Sequence, residues 1–148
     1  MNKYSQTKPY FFLLLLLCQV GYDQDMQLID QPISIRTLTD ITVRSGWDMV
    51  KAVVDVKKGI LMLDAELHAD EEQELIHLGS RQSDLWGINL YPELFGEDDF
   101  IEFDSMINVR PSQGNMSRNV ESEDIRQVIR DVVAAMISSS EGFLPEQE

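Results

Sequence analysis

From Met49 to Leu63 the chain reads Met-Val-Lys-Ala-Val-Val-Asp-Val, then Lys57-Lys58-Gly59, then Ile-Leu-Met-Leu. Val50, Ala52, Val54 and Val56 fall on one side of an extended backbone, because strand side chains alternate between two faces. That alternation, the β-branched density and the glycine-bearing turn predict a β-hairpin. A lone hairpin is marginal in water, so the segment commits the chain to a larger sheet under a covering layer. Trp86 to Tyr91 reads as a further strand, with Trp86, Ile88 and Leu90 on one face and Gly87, Asn89 and Tyr91 on the other. Phe100 to Val109 reads as a long one. There Ile101, Phe103, Ser105, Ile107 and Val109 share the apolar side, against Glu102, Asp104, Met106, Asn108 and Arg110. Met26 to Ile29 is expected as an edge strand.

Helical spacing is clearest at the far end of the chain. Ser122 stands as N-cap, Glu123 and Asp124 follow, and Ile125, Val128, Ile129, Val132, Val133, Met136 and Ile137 recur at three-and-four spacing. A shorter helix is expected from Asp70 to Leu78, with Asp70 as cap, Gly79 as stop, and Leu75 and Leu78 facing inward. A third begins after Ser34, turns Ile35, Leu38, Ile41 and Thr42 inward, and ends before Gly46. The expected fold is therefore α+β. A mixed or antiparallel sheet of about five strands carries about three helices on one face, the long C-terminal amphipathic helix among them.

The chain has 148 residues, about one domain. Residues 1 to 25 read apart from the rest: Lys3 and Lys8 precede an apolar stretch from Tyr10 to Val20, then Gly21-Tyr22-Asp23-Gln24-Asp25. The outline is that of a signal peptide, yet no small-x-small pair follows the apolar run. At about half of the ~20 residues a membrane helix needs, it predicts no stable span. The favoured reading sets this leader outside the fold, as an over-extended start ahead of Met26. That makes the protein cytoplasmic; a genuine leader would make it exported or membrane-associated. Residues 26–137 form the expected domain, and residues 138–148 an acidic, disordered tail. The single cysteine, Cys18, excludes an internal disulfide and a thiolate zinc cluster.

Twelve Lys and Arg against 26 Asp and Glu give a net charge of −14, which repels phosphate backbones and argues against nucleic acid as a partner. The imbalance is local. Residues 64–104 hold 13 acids against Arg81 alone, while the segments on either side are nearly neutral. Such a surface aids solubility, and it also suits a divalent cation or a basic partner.

Several stretches together carry a family likeness: Val50 to Asp55, Glu66-Leu67-His68-Ala69-Asp70, Gly79 to Pro92, Ile101 to Pro111, and Gly114-Asn115-Met116-Ser117-Arg118. Over residues 26–137 the chain resembles a family of small prokaryotic α+β proteins classed as a domain of unknown function. That resemblance implies no activity, cofactor or catalytic residue.

Two constellations are chemically suggestive. Asn89, Asn108 and Arg110 share the polar side of their strands, next to a loop holding Asn115 and Arg118. Two guanidiniums with converging amides suit an anion or a partner's backbone. Pairing of these groups with Glu102 and Asp104 is the plainer alternative. Glu66, His68 and Asp70 alternate at a strand-to-helix junction and are the candidate ligands for a divalent metal, the one cofactor considered. Asn115-Met116-Ser117 matches a glycosylation acceptor. Gly87 inside a strand calls for a bulge or for another group to approach closely.

The expectation is a small acidic binding or interaction protein that recognises a small anion or a protein partner. The alternatives are a metal-assisted hydrolase using the Glu-x-His-x-Asp cluster, and a structural homodimer.

Overall fold

The computed structural model describes residues 26–139; the readings made for the leader, and for the tail beyond Ser139, lie outside the described residues. In chain order the elements are β1 (Gln27–Ile29), β2 (Ile33–Ser34), α1 (Ile35–Ser45), β3 (Val50–Asp55), β4 (Ile60–Leu63), α2 (His68–His77), β5 (Leu85–Leu90), β6 (Ile101–Glu102), α3 (Glu123–Met136) and β7 (Ile137–Ser138). Short 3₁₀ turns fill the connections. Five strands make one antiparallel sheet in the order β1-β4-β3-β5-β6, and β2 pairs with β7 in a parallel two-stranded ribbon. The α+β class and the antiparallel sheet agree with the sequence reading.

The hairpin forms where the valine alternation places it. Ala52 faces Leu63 and Val54 faces Leu61, while on the other flank Val50, Ala52 and Val54 face Leu90, Ile88 and Trp86. Its turn is tied by Asp55, whose Oδ1 accepts from Lys57 N at 2.9 Å and Lys58 N at 2.8 Å. On this sheet face lie Leu38 and Ile41 of α1 and Ile129 and Val133 of α3. The opposite face is also covered, which corrects the expectation of helices on one side only. Leu75 of α2 packs there against Val53, Met62 and Leu85. Val53 and Met62 of the hairpin are apolar and buried on this second face, so it too excludes water.

Helix ends follow local chemistry. Ser34 caps α1 through Arg36 N, and Gly46 ends it at φ 75°, donating to Thr42 O. Ser122 caps α3 through Ile125 N. By contrast α2 starts two residues before the expected place: Leu67 is its N-cap, without a side-chain bond, and Asp70 lies in its first turn. Its exit is a Schellman turn, in which Gly79 N donates to Ile76 O and Ser80 N to Leu75 O, with Gly79 at φ 98°. Leu75 is fully buried. Leu78, expected to face inward, is 51% exposed because it lies past the last residue that reaches the sheet.

The strand expected from Phe100 to Val109 is strand only at Ile101–Glu102, opposite Leu90 and Asn89. Beyond it the chain turns through Met106–Asn108, where Ser105 Oγ accepts from Ile107 N. Parity therefore fails in this stretch, and Ser105 and Asn108 are buried while Met106 and Val109 are exposed. The Asn108 carboxamide stands in for the missing strand. It accepts from Gly87 N at 2.9 Å and donates to Gly87 O at 2.9 Å, the exchange a neighbouring strand would otherwise make. A Cβ on Gly87 would lie 2.5 Å from both Cβ and Oγ of Ser105, so the close approach foreseen for this glycine is met.

Candidate functional site

The residues expected to recognise an anion are brought together, but apart from Asn89 Oδ1 their side-chain polar groups are engaged within the protein. Asn108 also donates to Arg118 O at 3.0 Å. Buried Arg110 donates from Nε to Ile107 O at 2.9 Å and from Nη1 to Gln82 O at 2.8 Å, and its Nη2 pairs with Glu72 of α2 at 3.2 Å. Its guanidinium carbon lies 5.0 Å from the centre of the Trp86 ring. Burial lowers the Arg110 pKa, and the Glu72 charge works against that fall. Asn115 Nδ2 donates to Asn108 O at 2.7 Å, Ser117 O at 3.0 Å and Asn119 O at 2.6 Å. The same nitrogen is the glycosylation acceptor of the Asn-Met-Ser triplet, and it is closed off in the folded chain. Arg118 clasps Asp104 through Nε at 2.6 Å and Nη2 at 3.1 Å. Asn108 thus ties the 105–118 loop to β5, Arg110 ties it to α2 and the turn at Gln82, and Asn115 and Arg118 brace the loop itself.

Asn89 is placed differently. It stands in register between Lys51 of β3 and Glu102 of β6. Its Nδ2 donates to Glu102 Oε2 at 2.8 Å and Asp104 O at 3.3 Å, while its buried Oδ1 receives no hydrogen bond among the described residues. Glu102 Oε2 also accepts from Tyr91 OH at 3.0 Å. Burial raises the Tyr91 pKa, and the Glu102 bond and the charges of Glu102, Asp104 and Asp48 raise it further.

Glu66, His68 and Asp70 do not assemble as a ligand set. Among the described residues no three His, Cys, Asp or Glu side chains come together in a way that would hold a metal ion. Helix α2 starts at His68 and turns the three side chains to different surroundings. Glu66 is exposed, Asp70 is half-buried, and His68 is buried with Nε2 2.8 Å from Ile88 O. Burial lowers the His68 pKa despite that bond. One turn on, Glu71 is fully buried: Oε1 accepts from Ala65 N at 3.0 Å, and Oε2 receives no hydrogen bond among the described residues. Burial holds its pKa well above the ordinary carboxyl range.

These two neighbours give stability opposite pH dependences. The folded chain takes up the His68 proton less readily than the unfolded chain, so stability falls as pH drops below the ordinary histidine value of about 6.5. It holds the Glu71 proton more tightly, so stability also falls as pH climbs above the ordinary carboxyl value of about 4.3. Glu71→Gln keeps a neutral group there and removes the second loss. Thermal melts between about pH 4 and about pH 9 should show the variant gaining on the parent as pH rises, with no gain at the acid end. Parallel curves would mean that Glu71 carries no held proton.

Sequence reasoning missed an open cleft on the surface. Where α1 ends, the loop to β3 and the Asp64–Leu67 bend before α2 enclose a cleft of about 600 Å³, walled by Ile41, Arg44, Trp47, Lys51, Glu66 and Leu67 among others. Asp64 makes that bend at φ 75°, unusual for a residue with a side chain, and its carboxylate pairs with Arg44. Trp47 is 68% exposed and Leu67 59%. Lys51, Glu66 and Asp48 have no ion pair among the described residues. The available signal was Ser45-Gly46-Trp47-Asp48, a tryptophan directly after a helix stop and outside any apolar period.

The family described as protein of unknown function (DUF5674) matches residues 27–136 of the 148, nearly the extent over which the likeness was read. No curated protein and no solved structure matches the chain. Among the described residues no helix is long and apolar enough to cross a membrane.

Proposed function

We propose that this chain, which belongs to the DUF5674 family of proteins of unknown function, is a non-catalytic interaction protein that engages a protein partner through the Trp47 cleft. The observation that carries the reading is an exposed tryptophan beside an exposed leucine at the mouth of a cleft of about 600 Å³. A large apolar side chain in water costs free energy that a partner recovers, and tryptophan is enriched among the residues that dominate interface energies. The cleft volume falls within the range that holds a small ligand or one partner side chain. Recognition of a small anion at Arg110 and Arg118 is less well supported, since Glu72 and Asp104 already neutralise them. The reading includes a cytoplasmic location, supported by a chain whose one cysteine permits no internal disulfide.

Selection of a random peptide library against the protein tests the proposal. Enriched peptides should shift the amide resonances of the cleft residues. They should also lose at least about tenfold in affinity for Trp47→Ala, the ordinary effect of truncating an anchor. Trp47 is largely exposed, so the variant should melt within about 2 °C of the parent, as surface changes do. Peptides that bind the variant equally, or shift residues elsewhere, would move the binding surface away from this cleft.

A further inference from the structure

The surface beside the cleft combines aromatic side chains with carboxylates that form no ion pair among the described residues. Asp48 follows Trp47 directly and stands two residues before Val50, which pairs with Leu90, so Asp48 and Tyr91 lie at the same end of β3 and β5; the Tyr91 hydroxyl is bonded to Glu102. Trp47, Asp48, Tyr91 and Glu102 therefore lie along one end of the sheet, with Trp47 and Glu66 on the cleft wall. Glu102 is exposed and receives two neutral donors, the Asn89 amide and the Tyr91 hydroxyl, but forms no ion pair among the described residues. Asn89 Oδ1, alongside it, is a buried acceptor without a donor among the described residues. The patch is short of donors and of positive charge. The bases near it do not supply the deficit: Arg44 is paired with Asp64, Arg118 is taken by Asp104, and Lys51 is a single half-buried cation among several carboxylates.

Resting on the interaction-protein reading, we infer that the partner is a basic peptide segment, with an arginine or lysine over the Trp47 ring against Asp48 and Glu102 and an apolar neighbour in the cleft beside Leu67. Tryptophan is the strongest side-chain platform for a cation, and a guanidinium brings several donors to carboxylates at once. The net charge of −14 adds long-range attraction for a segment of that sign. A neutral segment would gain from the cleft alone. An acidic one would be repelled.

Three acetylated and amidated octapeptides in which leucine alternates with arginine, glutamine or glutamate provide the test, with affinities read by titration calorimetry. The arginine peptide should bind about tenfold tighter than the glutamine peptide, and the glutamate peptide should give no measurable heat. Trp47→Ala should weaken the arginine peptide about tenfold. Neutralising the patch with Asp48→Asn and Glu102→Gln should cost a similar factor. As a control, Asp98→Asn with Asp99→Asn makes the same change in charge at residues that neither line the cleft nor bond to Tyr91 or Asn89, and it should alter affinity less than about twofold. Equal weakening by the control pair, or no binding of the arginine peptide, would overturn the inference. Equal, Trp47-dependent binding of the arginine and glutamine peptides would also overturn it, while leaving the cleft as the interaction surface.

Discussion

Asn108→Ala is expected to lower stability by about 4 kcal/mol, which for a domain of this size is a fall in melting temperature of roughly 15 °C. The carboxamide serves both Gly87 N and Gly87 O and also the carbonyl of Arg118. Alanine would leave Gly87 N and Gly87 O without a partner in the interior, each a cost of about 1–3 kcal/mol, while Arg118 O would keep its bond from Ser105 N. Hydrogen exchange should show the cause directly, with the Gly87 amide losing protection before the central β3 amides. Asn108→Asp separates shape from chemistry. It retains an acceptor for Gly87 N but turns a second oxygen toward two carbonyls, so its carboxyl should be held protonated in the fold. Its stability should then drop as pH rises through the carboxyl range and recover in acid. A Gly87 amide that stays protected in the alanine variant would mean that another group closes this edge.

Gly87→Ala should be comparably damaging for a steric reason. The new methyl would stand 2.5 Å from Ser105 Cβ and Oγ and 3.1 Å from Ile107 Cγ1. Carbon atoms do not approach so closely, so the 105–108 turn must move away and the Asn108 bonds stretch with it. Overpacking of this kind costs about 1–3 kcal/mol, and the strained hydrogen bonds bring the expected loss to about 3–4 kcal/mol. Denaturant unfolding measures it. Adding Ser105→Gly should recover part of the loss by removing the nearer contact, whereas Ile107 would remain in place. A Gly87→Ala protein as stable as the parent would show that the turn yields freely and is not seated against the strand.

The extent to which the chain could be read in advance follows from the range of the interactions involved. Helix α1 lies between Ser34 and Gly46 because a hydroxyl cap and a left-handed glycine act within a few residues. The same holds for the Ser122 cap of α3. In β5 the alternation put Trp86, Ile88 and Leu90 on one face, and all three are in the main core. The long strand was misjudged because Ile101 to Val109 alternates well enough to extend further. What stops it is a side chain bonding to a strand 21 residues away, and no local pattern announces that. The pairing of Arg118 with Asp104 was among the alternatives read from the sequence. The pairing of Arg110 with Glu72, 38 residues away, was not, because it depends on where α2 lands.

By itself the sequence determined what short-range chemistry can determine: where helices are capped, which strand residues seek the interior, and how unevenly the charge is distributed. Tertiary structure alone decided that both sheet faces would be covered, that Asn108 would complete an edge, and that Trp47 would remain in water beside a cleft. A residue's neighbours across space depend on the packing of the whole chain. A polar side chain therefore becomes a free recognition group or an internal brace only when distant elements supply, or fail to supply, its partner.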